Sequence, residues 1–129
     1  MAKYNIKTKY LIIYMVLIVF SGFLVICRWI NHIEPYVKIL PEFVLSHITN
    51  FALCLMLLLI IGYIILMCGG KVKAVTIIAI VIVVFNIVYE CFLPFLNTSD
   101  IVDAIFGVCG TVVAYVYLVI LKRNGLTVK

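Results

Sequence analysis

Charged residues are scarce in this sequence. Lysine, arginine, aspartate and glutamate make up 12% of its 129 residues, whereas hydrophobic residues make up 67%. Because so little polar surface cannot cover a soluble globule, this composition excludes a soluble domain and predicts an integral membrane protein. The formal net charge of +5 does not indicate nucleic-acid binding. The basic residues lie at the ends of apolar runs, where membrane topology and anionic headgroups explain them.

Several signatures of known chemistry are missing as well. The sequence contains no nucleophile elbow, no phosphate-binding loop and no metal motif such as H-E-x-x-H, and its five cysteines form no C-x-x-C pair. We therefore predict no metal and no cofactor. Without such a motif no reaction can be named, so the question of enzyme activity stays open.

Four apolar runs are long enough to cross a membrane, because about 20 helical residues span the roughly 30 Å of hydrocarbon in a bilayer. The runs cover about 10–29, 43–68, 72–96 and 99–121. The last two are rich in valine and isoleucine, but open strands could not satisfy their backbone groups in lipid. No small-x-small cleavage site follows the first run, so it is expected to be retained. The sequence predicts one all-α integral membrane domain, residues 1–129, built as a four-transmembrane-helix bundle.

Lysine and arginine are distributed unevenly between the two ends of these runs. Most fall on one side of a four-span arrangement: Lys3, Lys7, Lys9, Lys71, Lys73, Lys122, Arg123 and Lys129. Only Arg28 and Lys38 fall on the other side. Because short loops rich in lysine and arginine stay in the cytoplasm, we expect both termini inside and the connections 30–42 and 96–99 outside. The connection 30–42 is predicted to be either a short segment along the headgroups or an ordinary apolar loop.

The acidic residues gather at or near the predicted external rim: Glu34, Glu42, Glu90, Asp100 and Asp103. A charge in hydrocarbon costs at least about 2.5 to 3.5 kcal/mol on insertion scales, so an acid within a span should face the bundle interior or a wet cavity. Glu90 is such an acid, and Asn86 lies one turn deeper on the same helix face. Two simpler roles stay open for Glu90: it could hydrogen-bond neighbouring helices together or reach the outer headgroups.

The second helix adds polar side chains at a similar depth, because His47 and Asn50 are three residues apart and share a face. We therefore predict a pocket at the external rim that is lined by His47, Asn50, Asn86, Glu90, Asp100 and Asp103. Two alternatives stay open. A lone histidine in an apolar helix is more often a packed residue than a ligand. Asp100 could instead cap the fourth helix.

Small residues continue the helix face that begins with Asp100 and Asp103. Gly107, Gly110 and Ala114 follow on that face at steps of three and four residues. Small side chains let a neighbouring helix approach closely. These three residues are therefore predicted to pack against another helix.

The order of these residues is similar to that of the VanZ family. Its members, small four-helix membrane proteins, typically have a histidine opening helix two, a glutamate ending helix three, and a D-x-x-D pattern running into small residues. The corresponding segments here are L-S-H-I-T-N-F at 45–51, Y-E at 89–90, S-D-I-V-D at 99–103 and G-T-V-V-A-Y at 110–115. The chain resembles a divergent member: Leu93 and Gly107 replace a common glutamine and asparagine, and 97–99 lack a common arginine.

This resemblance implies a multi-pass protein of a bacterial plasma membrane that acts on the cell envelope and contributes to glycopeptide-antibiotic tolerance. Its expected partners are membrane lipids and an envelope precursor or lipid headgroup, while homo-oligomer formation stays open. One alternative is a small proton-coupled multidrug exporter that uses the membrane glutamate. Another is a noncatalytic membrane partner or scaffold that binds a second protein through the face carrying Gly110 and Ala114.

Overall fold

Four long helices dominate the structure, a computed structural model that describes residues 4–33, 40–92 and 100–128. They are α1 (Thr8–Ile33), α2 (Glu42–Met67), α3 (Val72–Phe92) and α4 (Ile101–Ile120). A π-helical turn, Leu121–Gly125, continues α4. Two short strands, β1 (Tyr4–Ile6) and β2 (Leu126–Val128), flank the helices.

The helices coincide with the four predicted spans, and all four are long and apolar enough to cross a membrane. The prediction of four long apolar helices is confirmed. The largest visible difference in the boundaries is at α1, which continues to Ile33 rather than ending near residue 29. The predicted ends near 96 and 99 lie outside the described residues. So do Pro94 and residues 34–39 of the connection 30–42, including Glu34 and Lys38.

The turn after α2 explains how the chain reverses between α2 and α3. Gly69 has a φ of 91°, a left-handed conformation that favours glycine. Its backbone N–H donates to the carbonyl of Leu66, and the N–H of Gly70 donates to that of Ile65. Bonds of this kind satisfy the last carbonyls of a helix. The glycine pair therefore ends α2, as predicted.

The all-helical prediction missed one small β-ladder that joins the two ends of the chain. Strands β1 and β2 pair antiparallel, with Asn5 opposite Thr127. Next to the ladder, the Lys7 ammonium donates to the carbonyl of Asn124 at 2.8 Å. Strands of three residues have no periodic signal of their own, because their pairing depends on a contact between distant parts of the chain. The ladder places the first and last described residues, Tyr4 and Val128, at the same end of the bundle.

Helix α2 occupies the centre and contacts the other three helices. The main core is formed by fully buried leucines of α2 together with leucines at the end of α4 and in the turn that follows it. Those of α2 are Leu55, Leu58, Leu59 and Leu66, and the others are Leu118 and Leu121. Closer to the start of α4, a Cβ on Gly110 would overlap the Phe51 carbonyl oxygen of α2. Gly107, Gly110 and Ala114 are all buried, and the backbone of α4 lies close to α2 at Gly110.

Candidate functional site

Glu90 is an acid buried within an apolar bundle. It lies in the last turn of α3, with 3% of its surface exposed. The side-chain amide of Asn50 on α2 donates to Glu90 Oε1 at 2.7 Å. On the main chain, the N–H of Asp100 donates to the Glu90 carbonyl at 3.1 Å and fixes the start of α4 beside it. The prediction that Glu90 faces the bundle interior is confirmed.

Asn86, one turn deeper on α3, connects that helix to α4. Its Nδ2 donates to the carbonyl of Ala104 at 2.8 Å. Its side chain occupies the space that a Cβ on Gly107 would need. Gly107 therefore does more than permit a general close approach, because it makes room for one specific amide. The hydrogen bond directs Asn86 towards α4 rather than towards His47.

His47 of α2 meets both aspartates at the start of α4. Its Nδ1 lies 2.9 Å from Asp103 Oδ1 and 3.7 Å from Asp100 Oδ2. Only 12% of the His47 side chain is exposed. The rings of Phe43 and Phe106 lie against the imidazole, with centroid distances of 4.9 and 5.7 Å. The histidine is thus packed and hydrogen-bonded, and a role as a ligand stays a prediction.

Asp100 has the capping role that the sequence left open. Its Oδ1 accepts a hydrogen bond from the backbone N–H of Val102 at 2.8 Å, as an N-cap residue does. The other carboxylate oxygen is the one that faces His47. A cap and a contact with the imidazole therefore coexist in one side chain.

One nitrogen and two oxygens of this group could hold a metal ion. His47 Nδ1 and one carboxylate oxygen each from Asp100 and Asp103 lie within 4.8 Å of one another. Imidazole with carboxylates is a donor set that Zn²⁺ accepts. The hydrogen bond between His47 and Asp103 also satisfies both groups without an ion, so the expectation of no metal stays a prediction.

The six predicted residues lie at the end of the bundle opposite the β-ladder, and we call them together the polar cluster. They do not line one common pocket: Asn50, Asn86 and Glu90 line a groove between α2 and α3, whereas the described lining of that groove does not include His47, Asp100 or Asp103. Within the polar cluster, His47 joins Asp100 and Asp103, while Asn50 joins Glu90. His47 and Asn50 connect these two groups because they lie on one face of α2. Asn86 borders the Glu90 side and bonds to α4. The structure therefore supplies the pairing of these side chains, and their role as one ligand pocket stays a prediction.

Arg28 also contributes to this end of the bundle, although it was not among the predicted pocket residues. Its guanidinium, on α1, donates to the backbone carbonyl of Leu45 at 2.8 Å and to that of Ser46. The sequence shows a cation at the end of an apolar run. It does not show the two backbone carbonyls to which this cation donates, because they lie on another helix. Because its hydrogen bonds go to α2, Arg28 ties the first two helices together beside His47.

The His47–Asp103 contact should be measurable as a coupling energy. A hydrogen bond to a charged group contributes about 1.5 to 3 kcal/mol, so the double-mutant cycle of His47→Ala and Asp103→Ala should give a coupling in that range. The cycle with Asp100→Ala is the matched control. Asp100 is farther away and more exposed, so about 1 kcal/mol or less is expected there. Unfolding free energies in detergent micelles provide the readout, and equal couplings in the two cycles would contradict this pairing.

Comparison with protein-family models, with curated proteins and with solved structures gave no match. The resemblance to the VanZ family therefore stays a prediction from the order of residues in the sequence.

Proposed function

We propose that this chain is a VanZ-like protein of a bacterial plasma membrane, and that its polar cluster binds a hydrogen-bond-donating group of an envelope component or lipid headgroup. The observation that carries the proposal is the burial of Glu90 beside Asn50 within an apolar bundle. Ionisable residues inside membrane spans are costly and commonly mark binding sites or pathways. In this proposal, binding of that component is how the protein contributes to glycopeptide tolerance.

The chemistry of the polar cluster favours hydroxyl and amine groups over phosphate. Ionised carboxylates only accept hydrogen bonds, so they suit sugar hydroxyls, glycerol or an ammonium group. A phosphate would be repelled by the three acids of the polar cluster. Arg28 is the nearby cation among the described residues, and it already donates to two backbone carbonyls. The proposed ligand group is therefore neutral or cationic.

The proposal places both termini in the cytoplasm and the polar cluster at the outer leaflet. Its support is the positive-inside rule. Among the described residues, Lys7, Lys71 and Lys122 lie towards the β-ladder end, whereas Arg28 lies beside the polar cluster.

Cysteine labelling in intact cells tests this orientation. In a background without native cysteines, we expect Glu42→Cys to react with a membrane-impermeant maleimide and Thr127→Cys to react only after the cells are opened. Both parent side chains are exposed, so folding should not block the reagent. The reverse labelling pattern would place the polar cluster at the cytoplasmic face and contradict the proposal.

Alanine substitutions in the polar cluster test the function itself. Expression in a glycopeptide-susceptible bacterium should raise the inhibitory concentration of teicoplanin. We expect Glu90→Ala and Asp103→Ala, at wild-type protein levels, to return it to the empty-vector value. Glu42→Ala removes an exposed carboxylate from the first turn of α2 and is the matched control. Full tolerance with Glu90→Ala or Asp103→Ala would refute the proposed site.

A small proton-coupled exporter is the second candidate, and the buried carboxylate of Glu90 favours it. Its position argues against this reading, since alternating-access sites are expected near the midplane and Glu90 lies in the last turn of α3. Uptake of a labelled cation into inverted vesicles, driven by a pH gradient, would reverse this ranking. The scaffold alternative is weakened because Gly110 and Ala114 are buried within this chain rather than exposed to a partner.

A further inference from the structure

A groove between α2 and α3 begins at the polar cluster and extends into the apolar part of the bundle. Its volume is about 620 Å³, within the usual range for small-molecule sites. One end is lined by Asn50, Asn86 and Glu90, whereas Leu57 and Val81 line its apolar walls. We call this feature the α2–α3 groove. It is amphipathic along its length, with hydrogen-bonding groups at one end only.

The length of the α2–α3 groove matches one leaflet of a bilayer. Along α2 it extends from Asn50 to Ile61, and along α3 from Glu90 to Ile78. At 1.5 Å per residue, these stretches are about 17 and 18 Å long. One leaflet of a roughly 30 Å hydrocarbon core is about 15 Å thick. A lipid chain from one leaflet would therefore run along the groove with its headgroup beside Glu90.

We propose that the α2–α3 groove binds the hydrocarbon chain of a single-chain amphiphile whose headgroup carries hydroxyl or amine groups. The headgroup part rests on the proposed function of the polar cluster, whereas the chain part rests on the groove. The carboxylate of Glu90 accepts hydrogen bonds from the headgroup, and the side-chain amide of Asn50 donates to it. The exposed ring of Tyr89 lies at the same end and adds a phenolic hydroxyl.

A lipid chain fits this space better than a helix of a second protein. A helix with its side chains is about 10 Å wide, so about 17 Å of it would displace roughly 1,300 Å³, twice the volume of the groove. Within the described residues, no helix of this chain covers the groove, and Leu57 and Val81 are 48% and 43% exposed. The space is therefore open to the bilayer, and its volume is that of a slender ligand rather than of a helix.

A second groove on the described surface provides an internal comparison. It runs along α1 from Leu11 to Phe23, has a volume of about 630 Å³ and is lined only by apolar side chains. Because lipid tails are as apolar as these side chains, burial alone gives no preference for either groove. Selective occupation of the α2–α3 groove therefore depends on the headgroup contacts that the α1 groove lacks.

Photocrosslinking of two matched probes tests the proposal on the whole protein in lipid nanodiscs. The first is monopalmitoyl glycerol with a diazirine in the middle of its chain. The second carries the same chain on a sulfate, which is anionic and donates no hydrogen bond. We expect the glycerol probe to label α2 and α3 around Leu57 and Val81 about tenfold more than the α1 groove. It should also exceed the sulfate probe there by about tenfold.

A groove-filling substitution with a matched control identifies the binding place. Leu57→Trp should reduce labelling by the glycerol probe at least about fivefold, because the indole occupies the groove. Ile64→Trp adds the same side chain on the same face of α2. Ile64 lies beyond Ile61, the last groove residue of α2 on the side away from Asn50, so labelling should stay unchanged. Both variants place tryptophan at an exposed position, so their folding can be compared directly.

Three outcomes would overturn the proposal in distinguishable ways. Equal labelling of the α1 and α2–α3 grooves would show that the probe only contacts the protein as any bilayer lipid does, and it would refute the chain site. Equal labelling of the α2–α3 groove by both probes would leave a chain site but refute headgroup recognition, whereas the teicoplanin test of Glu90→Ala and Asp103→Ala decides the proposed function separately. Crosslinks between two copies at Leu57, with no probe attached, would assign the groove to a protein dimer instead.

Discussion

Replacing Gly110 with alanine should destabilise the bundle by at least about 2 kcal/mol, although only one methyl group is added. A Cβ at this position would overlap the carbonyl oxygen of Phe51 and lie 3.2 Å from the backbone nitrogen of Leu55. Both atoms belong to the backbone of α2, so no side-chain rotation can relieve the overlap. Helix α2 would have to move away from α4 and lose part of the core. Leucine at this position should prevent the two helices from packing.

Gly22→Ala is the matched control for this prediction, because no atom lies within 4 Å of a Cβ at that position. Alanine is favoured over glycine in a helix by up to about 1 kcal/mol, so this variant should be neutral or slightly stabilised. Unfolding of the purified proteins in the same detergent gives the comparison. Equal stability of the Gly110 and Gly22 variants would show that α2 and α4 do not pack through Gly110.

The helices and the burial of Glu90 could be predicted because both follow from the cost of polar groups in lipid. A span must satisfy its backbone internally and must be about 20 residues long, so apolar run length alone identified the four helices. The same cost predicted that Glu90 faces the interior, since a carboxylate facing hydrocarbon is unfavourable. These are local properties of the sequence that do not depend on which helices pack together.

The pairing of side chains could not be predicted, since it depends on how distant helices pack. Periodicity showed that His47 and Asn50 share a face, but not that they bond to Asp103 and Glu90 respectively. Gly107 is both a departure from the VanZ pattern and part of the predicted packing stripe. In the structure, the side chain of Asn86 fills the space beside it.

The terminal β-ladder and the α2–α3 groove had no local signal either. The ladder joins residues more than a hundred positions apart, as in the pair Asn5 and Thr127. The groove depends on the spacing between two helices whose apolar residues, such as Leu57 and Val81, look like ordinary lipid-facing side chains. The polar end at Glu90 distinguishes this groove from the apolar groove along α1. The residues of that end, Asn50, Asn86 and Glu90, are among those predicted from the sequence.

Glu90→Gln should weaken binding of monopalmitoyl glycerol by about tenfold or more while leaving the fold intact. Hydrogen bonds to charged groups contribute about 1.5 to 3 kcal/mol, against about 0.5 to 1.5 kcal/mol for neutral ones, and about 1.4 kcal/mol corresponds to a tenfold change in affinity. Glutamine keeps an oxygen that can accept the bond from Asn50, so stability should change little. Glu90→Leu should abolish binding and also destabilise the bundle, because it leaves the Asn50 amide without this acceptor.

Equilibrium binding of monopalmitoyl glycerol to the wild type and Glu90→Gln in lipid nanodiscs is the most direct test of the polar cluster as a ligand site. Thermal unfolding of both proteins provides the check on folding. Saturable binding to the wild type, with affinity at least about tenfold lower for Glu90→Gln, is the predicted result. Equal affinity for two equally stable proteins would contradict the claim that the buried carboxylate of Glu90 recognises the headgroup.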